Sequence, residues 1–249
     1  MTSDHVPSLS NFNTPDAVTP TLNAVRPSQA VNGSSTLASA QKKPVVCVFC
    51  GASPGKSEVH LEAARALARQ LHLNNMSLVY GGGTFGLMGE VAKTLVSLSG
   101  PDSVHGIIPE KLRQYEQGDQ GIDQAIYGKT TVVKDMHTRK QMMAQAVTTG
   151  GPGSGFVALS GGFGTLEELM EITTWNQLGI HKMPVVVYNV DGYYDGLIDW
   201  VKGAVKAGFI APENGGIMVE GKTADEVLHK LKNYEISKAR LKLDWDAEG

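Results

Sequence analysis

From Pro44 onward the chain alternates short apolar runs with amphipathic stretches of helical period, and this alternation limits the fold more than any other feature. Residues 45–50, 77–80, 104–108, 130–133, 156–159 and 185–189 read as strands, rich in valine and without polar alternation, as strands covered on both faces are. Residues 58–73 place Val59, Leu61, Ala66, Leu67 and Leu71 at helical spacing. Further helices are expected through Leu87, Val91 and Leu95, and near 136–147, 165–178, 194–207 and 223–234. The pattern predicts an α/β fold, a single doubly wound Rossmann-like domain with a central parallel sheet and helices on both faces, over residues 44–249. Residues 1–43 are rich in Ser, Thr, Asn, Pro and Ala with few charges, which predicts a disordered leader.

Composition excludes several classes. Lys+Arg 22 against Asp+Glu 25 gives a net charge of −3, so no basic field points to nucleic acid or to an anionic membrane. No apolar run approaches the roughly 20 residues of a membrane span, and no basic segment followed by an apolar one marks a secretory signal, so a cytoplasmic protein is expected. The two cysteines, Cys47 and Cys50, sit three apart on a strand and so face opposite ways, which predicts reduced core thiols. The histidines show no metal-ligand spacing, so no metal site is expected, and no G-x-S-x-G marks a serine hydrolase.

In such a sheet, ligands bind beyond the carboxyl ends of the strands. Three glycine-rich turns are expected there: Gly51-Ala52-Ser53-Pro54-Gly55, Gly81-Gly82-Gly83-Thr84-Phe85-Gly86, and Ser160-Gly161-Gly162-Phe163-Gly164-Thr165. The second matches G-x-G-x-x-G in spacing, yet it follows the second strand and lacks an acidic residue about 20 positions on, so it is not read as a dinucleotide fingerprint. The third carries the most chemistry. Its bare backbone opens a helix, where an anion can meet N–H groups, and Glu168 sets a carboxylate one turn inside. The alternative is a capping box, Thr165 capping the helix and Glu168 reaching back. After the 130–133 strand, Arg139 and Lys140 interrupt the apolar face of Met136, Met143 and Val147; each either meets an anion or snorkels to solvent. Ser53 and Thr84 are hydroxyl donors or plain turn residues. His137 and His181 are read as structural.

Taken together, these stretches resemble the LONELY GUY family of cytokinin-activating phosphoribohydrolases. The resemblance rests on Gly161-Gly162-Phe163-Gly164-Thr165-Leu166-Glu167-Glu168, Cys47 to Ser53, Leu78 to Gly83 with Gly86-Leu87-Met88-Gly89, Met136 to Lys140, and Thr174 to His181, in order over roughly 45–235. Three departures stand out. Ser160 replaces the family's proline, and a glycine-rich stretch at 150–155 and a long 114–128 segment are added.

The resemblance implies hydrolysis of the N-glycosidic bond of cytokinin riboside 5′-monophosphates, and of AMP, to free base and ribose 5-phosphate, without a cofactor. It implies Arg139 and Glu168 as catalytic residues. Substrate contacts would come from Gly161, Gly162, Phe163, Gly164, Thr165, Leu166, Glu167, Lys140, Glu116 and Thr174, with Ser53 and Gly82 from the other turns. Glu90 is placed at the cleft's border, and a homodimer or an assembly of dimers is implied. Three rivals remain at this point: a non-catalytic nucleotide-binding module, a pyridoxal-phosphate lysine decarboxylase with Lys56 as the lysine nearest the turns, and an AMP phosphoribohydrolase without prenyl preference. Met136, Met143 and Trp175 are read as base-pocket or core residues.

Overall fold

The computed structural model describes residues 42–117, 122–243 and 245. All but the last two residues of the expected leader lie outside the described residues. Seven parallel strands form one sheet: β1 (Val45–Phe49), β2 (Ser77–Tyr80), β3 (Val104–Pro109), β4 (Lys129–Val133), β5 (Gly155–Ala158), β6 (Val185–Tyr188) and β7 (Met218–Gly221), in the order β4-β3-β2-β1-β5-β6-β7. The chain builds outward from β1 to β4 and then returns to place β5 on the other side of β1, pairing Phe49 with Ala158. That reversal opens a crevice beyond the carboxyl ends of β1 and β5, where doubly wound sheets bind ligands.

Two helical layers cover the sheet. On one face α1 (Glu58–Leu73), α2 (Gly86–Ser99) and α8 (Ala224–Lys232) pack on Val46, Val48, Leu78 and Val186; on the other, α5 (Met136–Thr148), α6 (Phe163–Leu178) and α7 (Asp195–Lys206) pack on Cys47, Phe49, Val185 and Val187. Alternate residues of one strand thus feed opposite cores, which explains the unbroken apolar runs. Cys47 and Cys50 fall in different cores, and both are free thiols. Among the described residues no helix is long and apolar enough to cross a membrane.

All the expected strands and helices are present, and among the described residues β7, α3 and α4 were not anticipated. β7 is a four-residue edge strand, half-buried and ending in Glu220-Gly221, too short and too mixed for a visible period. The long 114–128 segment holds part of α3 (Glu110–Gln117) and all of α4 (Gln124–Tyr127). In α3 the sequence Glu-Lys-Leu-Arg-Gln-Tyr-Glu-Gln offers no apolar stripe.

Candidate active site

The turn into α6 differs from the expected capping box. The helix begins at Phe163, its cap is Gly162 at φ −97° and ψ −150°, and no side chain caps it. Thr165 therefore stands inside the first turn, with its hydroxyl packed so closely on Gly161 that a Cβ there would lie 2.1 Å from Oγ1. Glu168 lies one turn further in. The capping-box reading of Thr165 and Glu168 is corrected: a glycine can hold the extended cap by backbone alone.

The carbonyls of residues 159–162 all accept hydrogen bonds from within the protein. Leu159 O accepts from Tyr194 Oη (2.6 Å) and Gly161 O from Tyr193 Oη (2.5 Å). Ser160 O accepts from Gly51 N (3.0 Å) and Gly162 O from Leu166 N (3.1 Å). The N–H groups of Gly162, Phe163, Gly164 and Thr165 have no protein acceptor among the described residues. Such a row of oriented donors at a helix N-terminus attracts an anion. A Cβ at Gly162 or Gly164 would meet nothing within 4 Å, so the protein's own packing does not demand glycine there. The second glycine turn is different. The N–H groups of Leu87 and Met88, at the start of α2, donate to Gly51 O (3.0 and 3.3 Å), and a Cβ on Gly86 would strike Ala52. Its glycines serve loop packing.

Beneath the α6 terminus lies a lobe of about 220 Å³ lined by Glu116, Arg139, Thr165, Glu167 and Glu168. Arg139 reaches it from the first turn of α5, which Asp135 caps by accepting from Thr138 N (2.7 Å). The Arg139 side chain lies across Gly81, where a Cβ would be 1.8 Å from its terminal nitrogen. A side chain at the strand end would push the guanidinium out of this place. Arg139 is buried, yet no carboxylate lies within ion-pair distance among the described residues, and its Nε has no hydrogen-bond partner. Its one bond is a weak contact to Met136 Sδ (3.7 Å).

Glu168 is buried as well. Burial pushes its carboxyl up to about 7; Arg139 and Lys140 pull it down, while Glu167 and Glu116 add to the rise. Glu116 is raised too, by burial, with Arg139 opposing. Its carbonyl accepts from Thr84 N (2.8 Å) and Thr84 Oγ1 (3.2 Å), which joins α3 to the second glycine turn and accounts for Thr84. A buried cation and a carboxylate poised near neutrality share a cleft without neutralising each other, an arrangement suited to acid–base work and to stabilising charge that develops on a ligand.

The other expected residues divide. Glu167 lines the lobe. Lys140 does not: its ammonium bridges to Glu167 (2.5 Å) and Glu171 (3.1 Å) on α6. Leu166 packs on the core. Phe163 is 95 % exposed at the tip of α6. Thr174 is exposed more than two turns down the helix and donates to Met170 O (2.8 Å). Gly82 lines neither lobe; its φ of +80° and its packing on Ile107 and Ile108 explain the glycine. Ser53 lines a second, larger lobe. Glu90 is corrected: it is buried between α1 and α2 and paired with Arg65 (2.6 Å) and Lys93 (2.6 Å), because its helix face turns toward α1. Met136 lines the smaller lobe, whereas Met143 and Trp175 pack in the core. His137 is exposed, and His181 is buried, bonded to Ile172 O and Met183 N and held down to about 4 by burial.

The larger lobe, about 510 Å³, joins the first along Gly51, Ala52 and Gly162. It brings in Lys56, His60, Ser160 and Tyr193. His60, Tyr193 and Tyr194 were missed in the sequence. The signal was the Tyr-Tyr pair after a buried strand, set by Asn189, whose Oδ1 accepts from Tyr194 N (2.8 Å).

Fold and site together define an open, parallel α/β protein with an anion-directed helix terminus over a buried Glu–Arg pair. The profile of a family described as "possible lysine decarboxylase" matches residues 88–231. The chain is 51% identical over 209 residues to a bifunctional cytokinin biosynthesis protein of Fusarium pseudograminearum, covering 82% of this chain and 43% of that protein, so it spans under half of that relative's length. It is 43% identical over 205 residues to cytokinin riboside 5′-monophosphate phosphoribohydrolase LOG3 of Arabidopsis thaliana, covering 82% of this chain and 89% of the relative. The molybdenum cofactor carrier protein of Chlamydomonas reinhardtii shares the fold at TM-score 0.55 and 18% identity, over 77% of this chain and 97% of that one. The chain belongs to the LONELY GUY family.

The decarboxylase description does not fit the residues. Pyridoxal-phosphate chemistry needs a Schiff-base lysine and an acid at the pyridine nitrogen. Lys56 is the lysine lining either lobe, it is exposed, and its lobe contains no carboxylate.

Proposed function

We propose that the chain hydrolyses the N-glycosidic bond of cytokinin riboside 5′-monophosphates, releasing the N6-prenylated base and ribose 5-phosphate, with AMP as a further substrate. The observation that carries this reading is the unpaired Glu168–Arg139 pair directly beneath free N–H groups at the α6 terminus. The N–H groups of Gly162 to Thr165 and the Thr165 hydroxyl hold the 5′-phosphate, and that anchor sets the ribose over Glu168. As the bond from the anomeric carbon to the base nitrogen breaks, positive charge grows on the sugar, and the Glu168 carboxylate stabilises it. The same carboxylate takes a proton from the water whose oxygen bonds to the anomeric carbon. Arg139 stabilises the electron pair that leaves with the base. Glu116 and Glu167 complete the wall, and Lys140 acts through Glu167.

We further propose a homodimer or an assembly of dimers in the cytoplasm. Phe163 and Tyr115 beside the cleft are 95 % and 83 % exposed, large apolar surfaces that a second copy would cover, and Thr174 would meet substrate only from such a copy. The two free cysteines fit a reducing compartment.

Purified protein is incubated with isopentenyladenosine 5′-monophosphate, AMP and the unphosphorylated riboside, and products are read by mass spectrometry. Base release from the monophosphates alone is the expected result. Binding of AMP without base release would replace this reading with a nucleotide-binding module, and faster release from AMP would remove the prenyl preference. Light scattering reports the assembly.

A further inference from the structure

The two lobes differ in charge. The smaller is lined by three carboxylates, Glu116, Glu167 and Glu168, and one guanidinium, Arg139. The larger carries Lys56, the imidazole of His60, and the hydroxyls of Ser53, Ser160 and Tyr193, with no carboxylate. A phosphate monoester seated on the α6 N–H groups, where the two lobes meet at Gly162, is pushed by the carboxylates of the first toward the second.

His60 holds a particular place on that wall. Its Nδ1 lies 3.0 Å from Oγ of Ser160, a side chain buried at the foot of the glycine turn. Its ring stands edge-on to Tyr193 at 5.7 Å, and Tyr193 donates to Gly161 O. His60 therefore touches, through two partners, both residues that precede the Gly162 cap. Its own helix is fixed against α2 by the Arg65–Glu90 pair, one turn further on.

We propose that His60 is a positioning residue for the substrate phosphate: through Ser160 and Tyr193 it fixes the turn that presents the α6 N–H groups, and it lines the lobe into which that phosphate faces. The proposal rests on the phosphoribohydrolase reading for its kinetic arm and on binding alone for its other arm. The ligand class is a phosphate monoester on a pentose.

The test uses the full chain, with ribose 5-phosphate and inorganic phosphate as calorimetric probes and isopentenyladenosine 5′-monophosphate for turnover. Losing one partly buried hydrogen bond is expected to weaken ribose 5-phosphate binding and to raise KM about tenfold in His60→Ala, with kcat changed by less than about twofold. His60→Asn, which returns an amide near the place of Nδ1, is expected to recover most of that loss. Ser160→Ala should reproduce His60→Ala, and the double variant should add little, the sign of coupled partners. Ser160→Ala removes a single oxygen and decides the matter if His60→Ala does not fold. The proposal is overturned if binding and KM are unchanged in both single variants, if kcat falls at constant KM, or if asparagine behaves as alanine does. A wild type that binds ribose 5-phosphate but hydrolyses no nucleotide overturns the phosphoribohydrolase reading alone, and the binding arm still judges His60.

Discussion

Glu90 and Glu168 are almost equally screened from solvent, 7 % and 8 % exposed, and the molecule treats them oppositely. At Glu90, burial works against the charge, but hydrogen bonds from Lys93 and Arg65 outweigh it and hold the carboxyl below its ordinary range. Arg65 is bonded in turn to Glu58 and Glu62, so the α1–α2 contact is a closed network of satisfied charges. At Glu168 no cation comes within ion-pair distance among the described residues, and burial leaves the carboxyl near 7. Arg139, a few residues of wall away, is equally unpaired. Low solvent exposure therefore does not single out a candidate functional glutamate. Lack of an ion-pair partner does, because the fold then bears a desolvation cost that a ligand would relieve.

The largest effect expected from this contrast is on turnover. Glu168→Gln and Arg139→Ala should each lower kcat by roughly a thousandfold, the scale of losing a general base or a charge stabiliser. Glu90→Gln, equally buried, should stay within about threefold of wild type, since stability effects this far from the chemistry leave turnover largely intact. Steady-state base release measures all three. Equal losses at Glu90 and Glu168 would break the comparison.

Stability should invert the ranking. Glu168 has a folded pKa of about 7 against an ordinary 4.5, so its contribution is full below pH 4.5 and is lost as pH rises through 7. Glu168→Gln should then be more stable than wild type at pH 8 by roughly 3 kcal/mol, with the gain gone near pH 4. Glu90 has a lowered pKa, so its contribution is present above the ordinary carboxylate range and fades as pH falls. Glu90→Gln should lose stability at pH 8 and approach wild type in acid. Melting curves of the two variants across pH should cross in sign.

Gly81→Ala sharpens the Arg139 side of the contrast. The new methyl would sit where the guanidinium lies, 1.8 Å from its terminal nitrogen. Arg139 has no carboxylate partner among the described residues and only the weak Met136 Sδ contact to keep it in place, so it moves. Base release should fall by about thirtyfold, the cost of a displaced charge stabiliser that is still present. Circular dichroism should show the fold retained, and wild-type turnover in this variant would contradict the assigned place of Arg139.

How much of this was legible in the sequence follows from the same physics. The sheet was, because strands buried on both faces must be apolar throughout and their helices must carry stripes; β7 and α3 escaped because an edge strand and a solvated helix need neither. Arg139 was visible as a cation interrupting an apolar stripe. The Glu168 segment was visible, but its meaning was open, since the same residues could close a capping box; only the Gly162 cap decided it. Glu90 and Lys140 could not be sorted. Lys93 is Glu90's i,i+3 neighbour, but Arg65 on α1 and Lys140's partners Glu167 and Glu171 on α6 are brought in from other helices, and that pairing is a tertiary fact. Tyr193, Tyr194 and His60 were invisible for the same reason: each acts on the glycine turn from another segment of the chain.

Lys140 gives the finest test, because it controls whether a paired carboxylate stands beside an unpaired one. Its ammonium neutralises Glu167 and Glu171 and also draws the Glu168 carboxyl downward, while Glu167 pushes that carboxyl up. Lys140→Met removes the downward pull and leaves Glu167 uncompensated next to Glu168, so both changes raise the pKa of Glu168. If ionised Glu168 is the base, the acid limb of kcat/KM should move to higher pH by about half a unit, the size of one lost charge at the edge of a partly solvated site. The plateau at high pH should fall little, since Lys140 touches neither lobe directly. A limb that stays in place would mean that Glu168 does not set it. A collapsed plateau with an unmoved limb would place Lys140 on the substrate itself.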